Sequence, residues 1–188
     1  MNTDLLRGDL VRLTIEDPDL IAPIESKWTM DSEYSRLLDW DPARLFSAKG
    51  VSNWIAKHQD RENNYNFTIR TLDGDKIIGD ICLEGIHWTH RDCFVGIGLG
   101  ERAFWGKGYG TDAMKVILRF AFTELNLHRV TLDVFEYNRR GVRSYEKAGF
   151  VLEGCQRKLI QREGRFWDVY FMGILRDDWL KMETNKQK

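Results

Sequence analysis

Three glycines fall within five residues, Gly106, Gly108 and Gly110 of FWGKGYGTDAM (residues 104–114), just ahead of a segment with helical spacing. Glycine loses more backbone freedom on folding than any other residue, so such a cluster marks a positive-φ bend or a close approach to the backbone. The first turn of a helix leaves its leading N–H groups without intrahelical partners and carries partial positive charge. Glycines at that point let a phosphate or pyrophosphate lie against those donors. The nucleotide-hydrolase loop is excluded, because Gly108 rather than Ser or Thr follows Lys107 and no glycine stands at the required distance upstream. The GxGxxG dinucleotide fingerprint is incomplete, since Thr111 stands where its last glycine belongs. Asp133 lies at a suitable distance onward and keeps that reading open, as does a bend that binds nothing.

A second constellation follows in NRRGVRSYEKAGF (residues 138–150). Asn138 opens a short helix, and Tyr145 lies two turns later on the same face. The Asn138 side chain can cap the helix, and its amide can reach a ligand amide beside the preceding strand. Arg140 and Arg143 add positive charge, and Tyr145 offers a phenol to a cleft. Read singly, Asn138 is a cap and Tyr145 a packed aromatic.

The elements that must position these groups are readable from periodicity. Alternation predicts strands over residues 10–15, 65–72, 76–88, 93–100, 129–135, 150–161 and 165–175, with turns at residues 73–75 and 163–164. Residues 17–60 read as two helices, one with Leu20, Ile24 and Trp28 on its inner face and one containing Ser52, Trp54, Ile55 and His58. Met114, Ile117, Leu118, Ala121 and Leu125 define a third helix. Residues 138–148 form a fourth, stopped by Gly149 in a left-handed cap. The order predicts an α+β (mixed α/β) fold: one central sheet of about seven strands, mostly antiparallel, flanked by about four helices. One domain over residues 1–182 and a disordered tail over 183–188 complete the expectation.

Composition sets outer limits. With 188 residues, 43% hydrophobic and 30% charged, the chain reads as a globular domain able to bury a sizeable core. No apolar run approaches the ~20 residues of a membrane span, and the N-terminus predicts neither a signal nor a transit peptide. Three cysteines (Cys82, Cys93, Cys155) without CxxC spacing argue against a disulfide framework and suit a reducing cytoplasm. Each lies in an apolar strand-like segment and reads as a buried small hydrophobe. A net charge of −1 weighs against nucleic acid. The charge is uneven, however: residues 1–60 hold seven Lys/Arg against eleven Asp/Glu, and residues 101–188 hold seventeen against twelve. An anionic ligand is better accommodated by the C-terminal half and a cationic one by the N-terminal part. His87 and His90 form an HxxH with no further ligands, so no metal is expected.

Taken together, WGKGYGTDAM and the Asn138–Tyr145–GF pattern resemble the GNAT superfamily of acyl-CoA-dependent N-acetyltransferases. With Trp105 at the loop's first position, where the family often has Gln or Arg, the variant is similar to the ribosomal-protein N-terminal acetyltransferases and the spermidine/spermine N-acetyltransferases. The likeness covers about residues 8–180 and is strongest over 93–175. It implies acetyl-CoA as co-substrate, its pyrophosphate on the backbone N–H groups of Gly106, Lys107, Gly108, Tyr109, Gly110 and Thr111. Asn138 and Arg143 join this donor site. The pantetheine arm is implied along Ile97, Gly98 and Leu99, where Gly96, Gly98 and Gly100 either permit close approach or make room for packed aromatics.

The implied reaction is direct attack of an amine on the thioester, with strand N–H groups steadying the oxyanion. Tyr145 takes the general-acid position, giving a proton to the departing thiolate. The family's usual base, a Glu on the strand before the loop, corresponds to Phe94, which cannot serve. Glu84 is the first substitute and His87 the second; Asp80 stands further back, and a water chain is a further route. The acceptor cleft is implied between residues 18–60 and about 157–168. There Trp28, Asp31, Glu33 and Tyr34 interleave acids with aromatics, as suits a cationic amine. The expected partners are acetyl-CoA and an amine-bearing acceptor such as a protein N-terminus or polyamine, with neither nucleic acid nor membrane, and a homodimer is common among similar proteins. The different-class alternative is an acyl-CoA-binding sensor that has lost catalysis, for which Phe94 is the main support.

Overall fold

In the computed structural model, which describes residues 4–59 and 62–186, the predicted strands assemble into a single seven-stranded sheet. The strands are β1 (Val11–Thr14), β2 (Tyr65–Thr71), β3 (Ile77–His87), β4 (Asp92–Leu99), β5 (Arg129–Phe135), β6 (Val151–Arg162) and β7 (Arg165–Leu175). Their order across the sheet is β1-β2-β3-β4-β5-β7-β6. Every neighbouring pair is antiparallel except β4 and β5.

That parallel pair shapes the molecule. Its register covers only Asp92 to Phe94 against Arg129 to Thr131. Beyond this point β4 continues along β3 as far as Leu99, and β5 continues along β7 as far as Phe135. The two strands therefore part in the middle of the sheet, and a wedge opens between their C-terminal halves. Backbone groups along such an opening need partners, so the gap is a place for a ligand to supply them.

The helices are α1 (Pro18–Trp28), α2 (Ser32–Leu38), α3 (Ala48–Gln59), α4 (Tyr109–Arg119), α5 (Arg139–Ala148) and α6 (Arg176–Lys186). The predicted face of α4 is the centre of the core: Met114, Ile117, Leu118 and Ala121 are fully buried, packed with Ile69, Ile81, Leu83 and Val130 from the sheet. Each of these larger aliphatic side chains contributes about 1.5–3 kcal/mol of burial, and the Ala121 methyl less. A single wide π turn at Phe120–Glu124 ends this helical run. Gly149, at φ +107°, stops α5 in the left-handed conformation.

Four expectations need correction. Residues 17–60 hold three helices, because Asp31 caps a separate seven-residue α2 by accepting from the Glu33 and Tyr34 N–H groups. The inner face of α1 is Ile21, Ile24 and Trp28; Leu20 is exposed. Helix α6 takes in residues 183–186, where a disordered tail is expected, and residues 187–188 lie outside the described residues. Its anchor is Trp179, 5.5 Å from Phe122. Finally, Cys155 is exposed on β6, whereas Cys93 is buried and Cys82 half-buried.

Asp112 in the first turn of α4 fastens the N-terminal segment to the core. Its carboxylate accepts N–H bonds from Asp9 (3.2 Å), Leu10 (2.7 Å) and Val11 (3.0 Å). A Cβ on Gly8 would come within 2.3 Å of Asp112 Oδ2, so a side chain there would push that carboxylate off its three donors. Hydrogen bonds to a charged acceptor are worth about 1.5–3 kcal/mol each, and donors left unpaired cost more. Asp112→Ala is expected to lower the unfolding free energy by about 3 kcal/mol, read from the urea midpoint at constant slope. An unchanged midpoint would remove Asp112 from this role.

Candidate active site

The wedge between β4 and β5 is the mouth of a cavity of about 710 Å³, within the range of small-molecule sites. At one end lies the glycine loop. Gly106 has φ +71° and Gly108, the N-cap of α4, has φ +93°. No protein atom lies within 4 Å of a Cβ built on Gly106, and a Cβ on Gly108 would meet only Leu10 Cδ1 at 3.5 Å. Crowding by the protein is thus not what excludes side chains here. The left-handed backbone is, and the N–H groups at the start of α4 lack intrahelical partners beside it.

The six predicted loop residues do not contribute equally. Gly106, Gly108, Gly110 and Thr111 line the cavity. Thr111 Oγ1 also meets Ser144 Oγ at 2.8 Å, tying α4 to α5. The Tyr109 ring packs edge-on to Phe104, 4.9 Å away, and Lys107 is exposed. Neither side chain is in the cavity wall, so these two can offer backbone groups only.

Ile97, Gly98 and Leu99, the residues implied for the pantetheine arm, line the cavity. The Leu99 carbonyl, however, already accepts from Trp105 Nε1 at 2.6 Å. The alternate glycines of β4 serve the other face of the sheet. A Cβ on Gly100 would fall 1.9 Å from the Trp28 ring, and one on Gly98 would fall 2.7 Å from the Tyr34 hydroxyl. Of the two readings of these glycines, room for packed aromatics accounts for both positions.

On α5, Asn138 Oδ1 accepts from the Gly141 N–H at 2.9 Å, and its carboxamide nitrogen makes no hydrogen bond among the described residues. Asn138, Arg140, Arg143 and Tyr145 all border the cavity. The Arg140 guanidinium stacks on Trp105 at 3.8 Å, and burial pulls its pKa down from the usual arginine value. Among the described residues the Tyr145 hydroxyl has no hydrogen-bond partner, while its ring packs edge-on to Phe150. Burial, and then the negative charge of Asp133, push this phenol up to about 12.

The base candidates separate. Glu84 is exposed in the cavity wall, paired across strands with Phe94. His87 is not in that wall: it lies at the far end of β3, where Nδ1 meets Asp92 Oδ1 at 2.8 Å. The acceptor candidates also divide. Trp28 is buried and donates from Nε1 to Glu101, so it is packing rather than a contact surface. Asp31 and Glu33 are both engaged by Arg102, with Nη2 to Asp31 Oδ1 at 2.7 Å and Nη1 to Glu33 Oε2 at 2.7 Å. The guanidinium hydrogen bond holds the Asp31 carboxyl below its ordinary range. Only Tyr34 of the four reaches the cavity.

Other residues form the acceptor end. Leu37, Leu38, Asp39 and Trp40 line it. Burial raises the Asp133 pKa, and the neighbouring Trp40 opposes that rise. Arg162 Nη2 holds this segment through the carbonyls of Asp39, Trp40 and Asp41, at 3.3, 2.8 and 3.0 Å. The last hairpin therefore acts through α2 and its following loop; no residue from 157 to 168 lines the cavity itself. Charge is divided along the wall: Lys115, Arg140, Arg143 and Lys147 come from α4 and α5, whereas Asp39, Glu84 and Asp133 come from the α2 end, β3 and β5. Asp9 and Asp112 also border the cavity, the latter occupied by its three N–H donors.

Behind the acceptor end lies a cluster that motif spacing does not show. The Tyr34 hydroxyl and Asp80 Oδ1 of β3 lie together at Gly98, and the charges of Asp80 and of Glu25 from α1 both act on Tyr34. Burial raises the Asp80 and Glu25 carboxyls, and Asp80 raises Glu25 further. One signal was available: Asp80 is an acid inside the apolar run IIGDICL. Among the described residues no group of three His, Cys, Asp or Glu could hold a metal ion, and no helix is long and apolar enough to cross a membrane.

A sheet split beside a glycine-capped helix offers an anion-accepting wedge, the architecture also found in the known proteins that this chain resembles. The acetyltransferase (GNAT) domain model matches residues 7–151, and the chain belongs to this family as an N-acetyltransferase. The probable N-acetyltransferase YjcK of Bacillus subtilis (strain 168) is 34% identical over 137 residues, covering 71% of this chain and 75% of that protein. The uncharacterized N-acetyltransferase YnaD of the same organism is 28% identical over 165 residues, covering 85% and 95%. Among solved structures, the spermidine N-acetyltransferase of Vibrio cholerae in complex with CoA and spermine superposes with a TM-score of 0.79 at 24% identity, over 90% of this chain and 98% of that one. Asp133, which kept a dinucleotide reading open, is a wall residue of β5 in this fold.

Proposed function

We propose that the protein transfers the acetyl group of acetyl-CoA to a primary amine by direct attack in a ternary complex. The observation that carries this reading is the single cavity joining the Gly108-capped start of α4 to the unpartnered Tyr145 hydroxyl. Bound acetyl-CoA supplies an activated carbonyl and a thiolate leaving group. The open cradle at Gly106 and the four cations of α4 and α5 fit its phosphates, and the β4 edge at Ile97 and Gly98 fits an amide-bearing arm.

The chain's own groups then divide the work. Backbone N–H groups at the start of α4 hold the anionic end, and Asn138 keeps an amide donor beside β5. Tyr145 donates toward the sulfur. Asp39, Glu84 and Asp133 give the other end of the cavity the negative potential that draws in a cationic amine. The spermidine N-acetyltransferase likeness supports a polyamine among the acceptors, alongside protein N-termini and other small amines.

The test is thiol release from acetyl-CoA with a panel of alkylamines, polyamines and N-terminal peptides, each product checked by mass spectrometry for an added acetyl group. Turnover is expected with cationic primary amines and not with neutral hydroxyl analogues. CoA binding without turnover of any amine would leave the sensor reading, which Phe94 at the usual base position favours.

A further inference from the structure

We propose that Tyr34 and Asp80 form a proton relay that takes the proton from the acceptor ammonium, through the gap that Gly98 leaves in β4. The inference rests on the amine-acetylating reading above, and it supplies the base that Phe94 cannot.

The geometry converges from three elements. Tyr34 comes from α2, is only 7% exposed, and is held edge-on to Trp28 at 6.2 Å. Its hydroxyl reaches the Gly98 gap in β4, where it and the Asp80 carboxylate lie against the same space and act on one another electrostatically. A Cβ on Gly98 would lie 2.7 Å from the Tyr34 oxygen and 3.1 Å from Asp80 Oδ1. Both oxygens therefore occupy the space that any other residue at position 98 would fill. Tyr34, Gly98 and Tyr145 border the same cavity, so the relay and the acid open onto one reaction volume.

The surroundings make Asp80 a better proton acceptor than an ordinary carboxylate. Burial raises its pKa, while the neighbouring Tyr34 hydroxyl favours its ionised form. The titratable groups facing the pair are Glu25 from α1 and Cys82 further along β3; burial raises Glu25 as well. Across the strands Asp80 pairs with Thr68 of β2 and Gly98 of β4, neither of which titrates. Two raised carboxyls side by side favour a state in which Glu25 keeps a proton and Asp80 is free to take one. Glu84, by contrast, is exposed on the cavity rim.

The step balances without a co-reactant. An N–H bond of the ammonium breaks as an O–H bond forms at Tyr34, and the original Tyr34 proton passes to Asp80. An ammonium and a carboxylate become a neutral amine and a carboxylic acid, a change that a low-dielectric site favours. The amine lone pair is then free to attack.

The test compares the full-length protein with Asp80→Asn and Tyr34→Phe, using an alkyl primary amine and a peptide N-terminus. The alkylamine keeps its proton up to pH ~10.4 and the α-amine up to ~8. At pH 7 both variants are expected to lose about 10²-fold in kcat/KM for the alkylamine. The deficit should shrink steadily as pH rises to 10 and should be smaller for the peptide, because solvent then removes the proton. Tyr34→Phe keeps the ring on Trp28, so it carries the test if Asp80→Asn does not fold. A wild-type to variant ratio that is flat in pH overturns the relay alone, as does a pH-dependent rescue seen with Glu84→Gln and with neither relay variant. An active-site preparation that binds CoA and acetylates no amine overturns the amine reading, and the relay with it.

Discussion

Tyr145→Phe is expected to lower kcat for amine acetylation by about 10²–10³-fold while CoA affinity stays unchanged. The substitution removes one oxygen and keeps the ring against Phe150, so packing and the α5 face toward the carrier are preserved. That oxygen has no partner within the described protein and opens onto the cavity, which makes it available to a developing thiolate. Its raised pKa, about 12, sets the form of the pH dependence. The folded phenol keeps its proton above the ordinary tyrosine value of ~10, so the donor is lost only as pH climbs toward 12. A phenol of that kind is a reluctant acid toward a thiolate in water. In the cavity the thiolate is desolvated too, and a hydrogen bond donated to its growing charge lowers the barrier before the proton has fully moved. Steady-state kinetics from pH 7 to 10, with CoA affinity by calorimetry, check the claim. The wild type should show no alkaline fall traceable to Tyr145 in that window. A variant with undiminished kcat would take Tyr145 out of the reaction and strengthen the sensor reading.

The fold was largely legible because its strands obey simple alternation. β5 and β7 have the predicted bounds, residues 129–135 and 165–175, since each carries β-branched and aromatic residues between clear turn signals. α2 was not legible as a helix of its own. Seven residues give too few repeats for periodicity, and the Asp31 cap shows only once the chain is folded. α6 was missed for a related reason: its sequence is polar all round except for Trp179, Leu180 and Met182, and the Trp179–Phe122 contact decides it.

The site divides in the same way. The carrier end was readable because it depends on local backbone: glycines, a helix start and a cap lie close together in sequence. The acceptor end depends on pairings between distant residues, which spacing cannot reveal. Arg102 takes up Asp31 and Glu33 across 71 and 69 residues, and much of their apparent attraction for a cation is spent on it. Trp28 reads as a contact aromatic in sequence, yet it is the side chain that fills the space left by Gly100. Tyr34 meets Asp80 only because β3, β4 and α2 come together at Gly98.

Gly108→Val should cost the protein its hold on CoA while leaving the fold nearly as stable. Position 108 has φ +93°, a conformation in which a β-branched residue is a clear outlier. The strain is about 1–3 kcal/mol if the loop keeps its shape. The Cβ itself meets only Leu10 Cδ1, at ordinary contact distance, so the core beneath α4 is undisturbed. The cheaper response is for the backbone to leave the left-handed region, which turns the N–H groups of Tyr109, Gly110 and Thr111 away from the cavity. Hydrogen bonds to a charged group are worth about 1.5–3 kcal/mol each, so losing two weakens CoA binding by roughly 10²–10⁴-fold. Gly106→Ala supplies the graded comparison, because its φ of +71° is less costly for alanine and no protein atom stands within 4 Å. Its loss should be smaller and should come from strain alone. Calorimetric titration with CoA, paired with urea unfolding, separates the two effects. A folded Gly108→Val protein that binds CoA as the wild type does would mean that the pyrophosphate is held elsewhere, and that the glycines serve only the bend.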